Sequence, residues 1–486
     1  MNIRRPLRIT LATATAAALA GGLFTLAAAP ATAVTAEYAD DFNGDGYRDL
    51  VTSAEAATVG GVKYAGSVVV NYGSPSGISA SNRKVITQDS HGIPGTAEYK
   101  DLFGSALASG DLNNDGYADL VVGAPGEDVG DDANGGTAVV IWGSASGLSG
   151  ARTIGDPNRS GHDWFGQSLA VGDFSGDGKA DLAVGSSGKD IWVHKGGFTK
   201  SSGAASRYKL TTPLQSGTGH GADSLLSGDV NGDGSDDVIA NGTYYPDSSH
   251  MYDATLVYLG SASGLAFQDV LESHKRAAVG DINGDGCDDV VTSGWWGGTE
   301  GGDPDDLGGS ITTYFGGSAG IRSDAVQSID QDTPGVPGAD ETSDYFGYAV
   351  SLGDIDGDGF ADAAVSADYE SIGSATLTGS VTVFRGTSAG LSVSDAEVFH
   401  QDTAGVPGAN EDNDHFGSSV RLSDLNGDHY ADLSVGGDGE NGGDGALWSL
   451  RGSSSGVITR SAVGFGASSA GLSTSGYPQF GGGMLR

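Results

Sequence analysis

Asp111-Leu112-Asn113-Asn114-Asp115-Gly116-Tyr117-Ala118-Asp119 is the stretch that decides how the rest of the chain is read, because its pattern, D-x-N-x-D-G-x-x-D with small departures, keeps returning. Copies begin at Asp41, Asp111, Asp173, Asp229, Asp281, Asp354 and Asp424, with steps of 70, 62, 56, 52, 73 and 70 residues. Self-similarity at this period marks an architecture of stacked units, each covering its neighbour's apolar face.

Each copy lies between two short apolar runs. Ser105-Ala-Leu-Ala-Ser-Gly110 precedes Asp111, and Leu120-Val-Val-Gly-Ala-Pro125 follows Asp119. Runs this short, β-branched and bounded by glycine, are strands. The acidic stretch is then a hairpin turn. A third run follows, such as Thr137-Ala-Val-Val-Ile-Trp142, closed in most units by a turn such as Gly143-Ser-Ala-Ser-Gly147; a weaker fourth run comes next, such as Lys84-Val-Ile-Thr87. Four antiparallel strands per unit, repeated seven times, predict an all-β seven-bladed β-propeller spanning residues 34–486. For ring closure the sequence offers Glu37 to Asp40 as a short inner strand of the first blade. Val463-Gly-Phe-Gly-Ala-Ser468 reads as an edge or latch segment resembling the start of an eighth unit.

The loops have the donor set of a hard divalent cation, which takes six to eight oxygens. Carboxylates stand at position 1 (Asp41, Asp111, Asp173, Asp229, Asp281, Asp354, Asp424), position 5 (Asp45, Asp115, Asp177, Asp233, Asp285, Asp358, Asp428) and position 9 (Asp49, Asp119, Asp181, Asp237, Asp289, Asp362, Asp432). Position 3 is Asn43, Asn113, Ser175, Asn231, Asn283, Asp356 or Asn426. Position 7 is expected to give its backbone carbonyl, which leaves its side chain free to vary: Tyr47, Tyr117, Lys179, Ser235, Cys287, Phe360 and Tyr430. Up to seven calcium ions are expected. Position 6 is glycine in six copies, as a left-handed turn prefers, and His429 in the last, so the Asp424 loop is expected to bind most weakly. The helix-loop-helix type of calcium site is excluded, because its acidic position 12 is here Thr52, Val122, Val184, Ala240, Thr292, Val365 and Val435.

Composition agrees with this reading. The net charge of −39 argues against nucleic acid or an anionic membrane as partner and for bound cations. Glycine, 84 of 486 residues, is more than twice its usual ~7%, which suits a chain of tight turns. With Cys287 as the single cysteine no intrachain disulfide can form, so another staple is needed. Residues 1–33 read as an export signal: Arg4, Arg5 and Arg8, an apolar stretch, then Ala31-Thr32-Ala33 as cleavage site. No later run reaches the ~18 apolar residues of a membrane helix. A secreted, monomeric protein is expected.

Phe103-Gly104 with Gly123-Ala124-Pro125, and the partial versions at Phe165-Gly166, Phe346-Gly347 and Phe416-Gly417, resemble the FG-GAP repeats of the integrin α-subunit propeller, which also occur in secreted bacterial proteins. The first, fourth and fifth units lack the Phe-Gly pair. The resemblance implies an extracellular binding or adhesion module.

Strand order sets the faces. In a four-strand meander the first and third turns share one end, so the aspartate loops and the Gly-Ser turns lie together. The opposite face receives the insertions at 123–136, 241–253, 294–309 and 368–379, and the related links Gln88 to Gly95, Gln331 to Gly338 and Gln401 to Gly408. An extracellular protein or glycan is expected to bind there, with Tyr244, Tyr245, Trp295 and Trp296 as candidate contacts. The alternative is a propeller enzyme, a polysaccharide lyase or an esterase-like hydrolase, with its site on that face. No catalytic constellation is visible: the nine histidines show no zinc spacing, and Gly452-Ser-Ser-Ser-Gly456 fits G-x-S-x-G only as a turn.

Overall fold

Each aspartate loop reverses the chain between two strands. In the second blade Leu107–Gly110 runs into the Asp111 loop and Asp119–Ala124 returns, paired from Gly110 with Asp119 to Leu107 with Val122. Thr137–Ile141 and Ala151–Ile154 complete the sheet. Asp119–Ala124 and Thr137–Ile141 are buried throughout, which is why they read as continuous apolar runs, whereas the outer strand of the third blade, Ser206–Thr211, is largely exposed.

The computed structural model describes residues 36, 38–247, 250–272, 276–294, 308–324 and 326–486. These form seven four-stranded antiparallel sheets, the blades of a β-propeller. Apolar clusters fill the spaces between adjacent blades; Val51, Val68 and Val70 of the first pack with Leu120, Val122 and Val139 of the second. The innermost strands line a channel of about 780 Å³ that holds Glu55, Arg276, Arg421 and Arg486 among many serines. Residues 1–33, read above as an export signal, and Trp295-Trp296 lie outside the described residues.

Closure differs from the expectation. Tyr38 to Asp40 form a turn, and the inner strand of the first blade is Gly483–Met484, from the far end of the chain, paired with Leu50–Ala54. Buried Asp40 acts as a tie instead, 2.9 Å from Arg48 and 2.7 Å from Arg421 in the seventh blade. Val463 to Gly466 begin no eighth unit; they end the outer strand of the seventh blade, Ile458–Gly466.

The same terminal segment supplies the Phe-Gly pair that the first unit lacks. The amide of Phe103 donates to Ala65 O (3.0 Å), that of Phe165 to Gly135 O (3.2 Å) and that of Phe416 to Thr378 O (2.7 Å), each reaching the preceding blade. Phe480 donates in the same way to Asp444 O (3.1 Å), and Gly481 follows it. A methyl added to Gly66, Gly136, Gly379 or Gly445 would lie 2.6 Å or less from the phenylalanine backbone, so glycine is required at each seam. Phe103, Phe165, Phe346, Phe416 and Phe480 are all fully buried.

Two insertions prove regular. Residues 123–136 and 368–379 contain short bridged turns, Val129 with Asp132 and Ile372 with Ala375, matching Val59 with Val62 in the first blade. Residues 241–253 are mostly strand, extending Asp237–Asp247 and His250–Leu259 beyond the usual length.

Candidate metal centres

The hydrogen bonds within the loops repeat in all seven copies. The position 1 carboxylate accepts the backbone N–H of position 5 at 3.0–3.3 Å. It also accepts that of position 6 at 2.6–3.0 Å. The position 5 carboxylate accepts the N–H of position 7 at 2.9–3.3 Å. The position 9 carboxylate accepts the N–H of the first glycine of its own blade's third turn, at 2.5–3.1 Å. Loops and Gly-Ser turns therefore share one face, as strand order requires. Gly452 belongs to such a turn, with Ser453 Oγ donating to Gly456 O at 2.8 Å, so its G-x-S-x-G match is not a nucleophile elbow.

Two left-handed residues make the fold of the loop possible. Position 6 has φ between 70° and 90°, with His429 at 70° paying the backbone strain anticipated for it. Position 4, which the sequence reading overlooked, is also left-handed: glycine in six loops and Asn114 (φ 55°) in the second. The reason lies in the next blade. A methyl on Gly44 would lie 2.6 Å from the Tyr117 ring, on Gly284 2.8 Å from Phe360, on Gly357 2.9 Å from Tyr430, and on Gly427 2.8 Å from Tyr47 across the ring closure. Position 7 side chains are thus not free of constraint, because most of them cover the preceding loop. Cys287 does so over Gly232, with 3.1 Å between its sulfur and the added methyl.

The electrostatics are those of crowded acid. Position 9 is buried in every loop. Burial, with the other loop aspartates adding to it, pushes these carboxyls up to about 8 for Asp49 and Asp119, about 7 for Asp237, Asp362 and Asp432, and about 6 for Asp181 and Asp289. In the sixth loop carboxylate oxygens of Asp354, Asp356 and Asp362 lie within 4.8 Å of one another. Basic side chains already reach some loops: Arg385 lies 2.6 Å from Asp356, and Lys200 3.0 Å from Asp115. Position 3 divides. Asn113 and Asn426 turn their amides onto Asp119 and Asp432, whereas Asn43, Asn231 and Asn283 accept the N–H of position 5.

On the opposite face Tyr244 stands in register with Tyr252 and packs edge-on against it, 5.5 Å between centroids, while Tyr245 is exposed. A different cluster lies there, unsuspected from the sequence. His415 Nδ1 is 3.7 Å from Asp368 and 3.5 Å from Asp438, and the Tyr369 ring lies 4.8 Å from the His415 ring. Burial lowers the His415 pKa, although Asp438 acts in the opposite sense. The residue before each Phe-Gly pair, Leu102, Trp164, Tyr345, His415 or Gln479, is held left-handed at φ 53–60°. The D-x-F-G spelling shared by four of these sites was the signal available in the sequence.

A family model described as "FG-GAP repeat" matches residues 33–70, 103–142, 165–205, 346–384 and 416–450. The chain thus carries FG-GAP repeats in a seven-bladed propeller that resembles that of the integrin α-subunit. It is 30% identical over 235 residues to integrin alpha pat-2 of Caenorhabditis briggsae, covering 42% of this chain and 18% of that one. It is 35% identical over 159 residues to the phosphatidylinositol-glycan-specific phospholipase D of Homo sapiens, covering 29% of this chain and 19% of the enzyme. The chain thus matches less than a fifth of the length of these relatives. Among the described residues no helix is long and apolar enough to cross a membrane.

Proposed function

We propose that this is a secreted, calcium-stabilised propeller that offers the face opposite its aspartate loops to an extracellular protein or glycan. The observation that carries the calcium reading is the position 9 aspartate, buried in all seven loops and raised in pKa by that burial and by the other acids of its loop. A divalent cation there neutralises the crowding and displaces protons from the raised carboxyls. At calcium ten-fold above its dissociation constant each site adds about 1.4 kcal/mol by mass action, and six independent sites about 8 kcal/mol, comparable with the stability of a whole domain. That is the staple which a chain with one cysteine needs. Melting curves with and without chelator, together with a count of bound metal, test it. A large drop in melting temperature on chelation is expected; an unchanged curve with no bound calcium refutes the reading. Glycan and protein arrays probed with the calcium-loaded protein test the binding role.

One observation favours the enzymatic alternative: His415 set between Asp368 and Asp438, beside the Tyr369 ring. Release of product from polysaccharide or ester substrates, lost in His415→Ala, would decide for it.

A further inference from the structure

The joints between blades share a pattern from which the third blade departs. In five blades a large apolar or aromatic residue of the third strand stands in register with the strand before it: Leu120 with Ile141, Val238 with Tyr258, Val290 with Tyr314, Ala363 with Phe384 and Leu433 with Leu450. Ile141, Tyr258, Tyr314, Phe384 and Leu450 are buried in apolar clusters against the preceding blade. The equivalent residue of the third blade, opposite Leu182, is His194, which is 5% exposed. Trp192, two residues before it on the same face, packs against the core of the second blade. The partner on the outer strand changes too. Ile141 faces Ala151, Tyr258 faces Phe267 and Tyr314 faces Val326, whereas His194 faces Arg207. The first blade has Asn71 opposite Arg83, but both side chains are spent on backbone oxygens, Asn71 on Ser79 and Arg83 on Ala80 and Ala470.

At the third blade the exchange comes with open space. A cleft of about 250 Å³ lies between the outer strand of the second blade, Ala151–Ile154, and the last two strands of the third, Asp190–Lys195 and Ser206–Thr211. Its ionisable lining is Arg152, His194 and Arg207, and among the described residues no carboxylate lines it. Arg152 gives one N–H to Ser201 O at 2.7 Å. Arg207 takes no part in the ion pairs around it, in which Lys179, Lys200 and Lys209 hold Asp177, Asp115 and Asp190. His194 Nε2 is buried without a hydrogen-bond partner. Burial and the Arg207 charge lower the His194 pKa to about 4, so the ring is neutral and has an N–H to offer. An unpaired buried donor is costly, and beside two guanidiniums it fits an acceptor that the protein itself does not supply. Residues 152–209 carry eight of the chain's 24 lysines and arginines against six of its 63 acids. An anion repelled by the chain as a whole therefore meets a local excess of cations here.

We propose that this cleft binds a single sulfate or phosphate group, held by the guanidiniums of Arg152 and Arg207 and by the imidazole N–H of His194. Guanidinium forks match the oxygens of such groups. Three donor groups around one cleft suit the several oxygens of a tetrahedral anion better than the two of a carboxylate. Thr153, Ser202, Ser206 and Arg207 at the rim are exposed, so the group can arrive as a free ion or as an ester on an extracellular glycan. None of the loop aspartates lines the cleft, and the site stands or falls independently of calcium.

Calorimetric titration of the whole protein with sodium sulfate is expected to show saturable binding that weakens at least ten-fold in Arg207→Gln. Binding should be lost in His194→Tyr, which copies Tyr258 of the fourth blade and fills the cleft. Arg207 is exposed and tyrosine already serves at the equivalent joint, so circular dichroism should report both variants folded. Crystals soaked in sodium selenate should show an anomalous selenium peak between Arg152, His194 and Arg207. Dextran sulfate, with plain dextran as control, identifies the source. Weaker dextran sulfate binding in Arg207→Gln assigns an ester on a glycan; unchanged dextran sulfate binding, with sulfate binding weakened, assigns the free ion. No saturable sulfate binding, or equal affinity in the wild type and Arg207→Gln, overturns the proposal. So does a selenium peak in the cleft without binding in solution, which is binding at crystal concentration only.

Discussion

On the aspartate-loop face all seven blades repeat the same backbone-to-carboxylate bonds, whereas on the opposite face, among the described residues, three links share a glutamine-to-glutamate bond. The difference follows from what each turn touches. An aspartate loop is fixed from three sides: by its own amides, by the third turn of its blade, and in most blades by the position 7 side chain of the next. A change in one copy disturbs the neighbouring copy as well. Turns on the other face differ from blade to blade, as bridged turns, an extended hairpin and the His415 cluster. One face acts as frame, the other is free to specialise.

The largest effect expected from breaking the frame is on the pH dependence of the metal-free protein, because seven groups act together. Position 9 carboxyls hold their proton to about pH 6 to 8 in the fold, against 3.8 in the unfolded chain. The folded state then binds more protons across that window, so its stability falls as pH rises from about 4 to 8. In chelator the protein should melt higher at pH 5 than at pH 8. Saturating calcium, which competes with those protons, should remove or reverse the trend; the same slope in both conditions would show that calcium does not reach these groups.

Next comes the seam. Phe480→Ala should cost about 3–5 kcal/mol, as much as Phe103→Ala, since both leave a cavity at equivalent joints. Urea unfolding measures this; a loss below 1 kcal/mol for Phe480 alone would mean that the terminal segment does not close the ring. A smaller effect separates the two left-handed positions. Gly427→Ala and Gly46→Ala share the backbone strain, but only the first meets a ring, Tyr47 at 2.8 Å, while the second opens on empty space. Gly427→Ala should therefore lose about 1–3 kcal/mol more. Equal losses would show that the Tyr47 ring moves aside freely.

The smallest effect is at His429. It already holds the left-handed turn and the same bond to Asp424 as its glycine counterparts, 2.8 Å, so its strain is borne by the fold. His429→Gly should raise stability in chelator by about 1 kcal/mol. Tighter calcium binding at that loop without this gain would place the strain in the bound form.

The sequence by itself determined the blade count, the strand order, the loop positions and the sharing of one face by the first and third turns. These follow from a local pattern repeated seven times, and strand alternation needs no knowledge of distant contacts. Even the left-handed glycine at position 6 was legible, because a tight turn imposes it locally. Only the tertiary structure decided what joins residues far apart. Phe480 completes the first blade from some four hundred residues away, and nothing in the spelling of residues 34–70 announces a missing partner at the other terminus. Position 4 glycines answer to a ring in the next blade, and Gln331 meets Glu370 only because blade packing brings a link against a turn. A repeat is written in local chemistry, while its seams and its specialised face depend on which copies become neighbours.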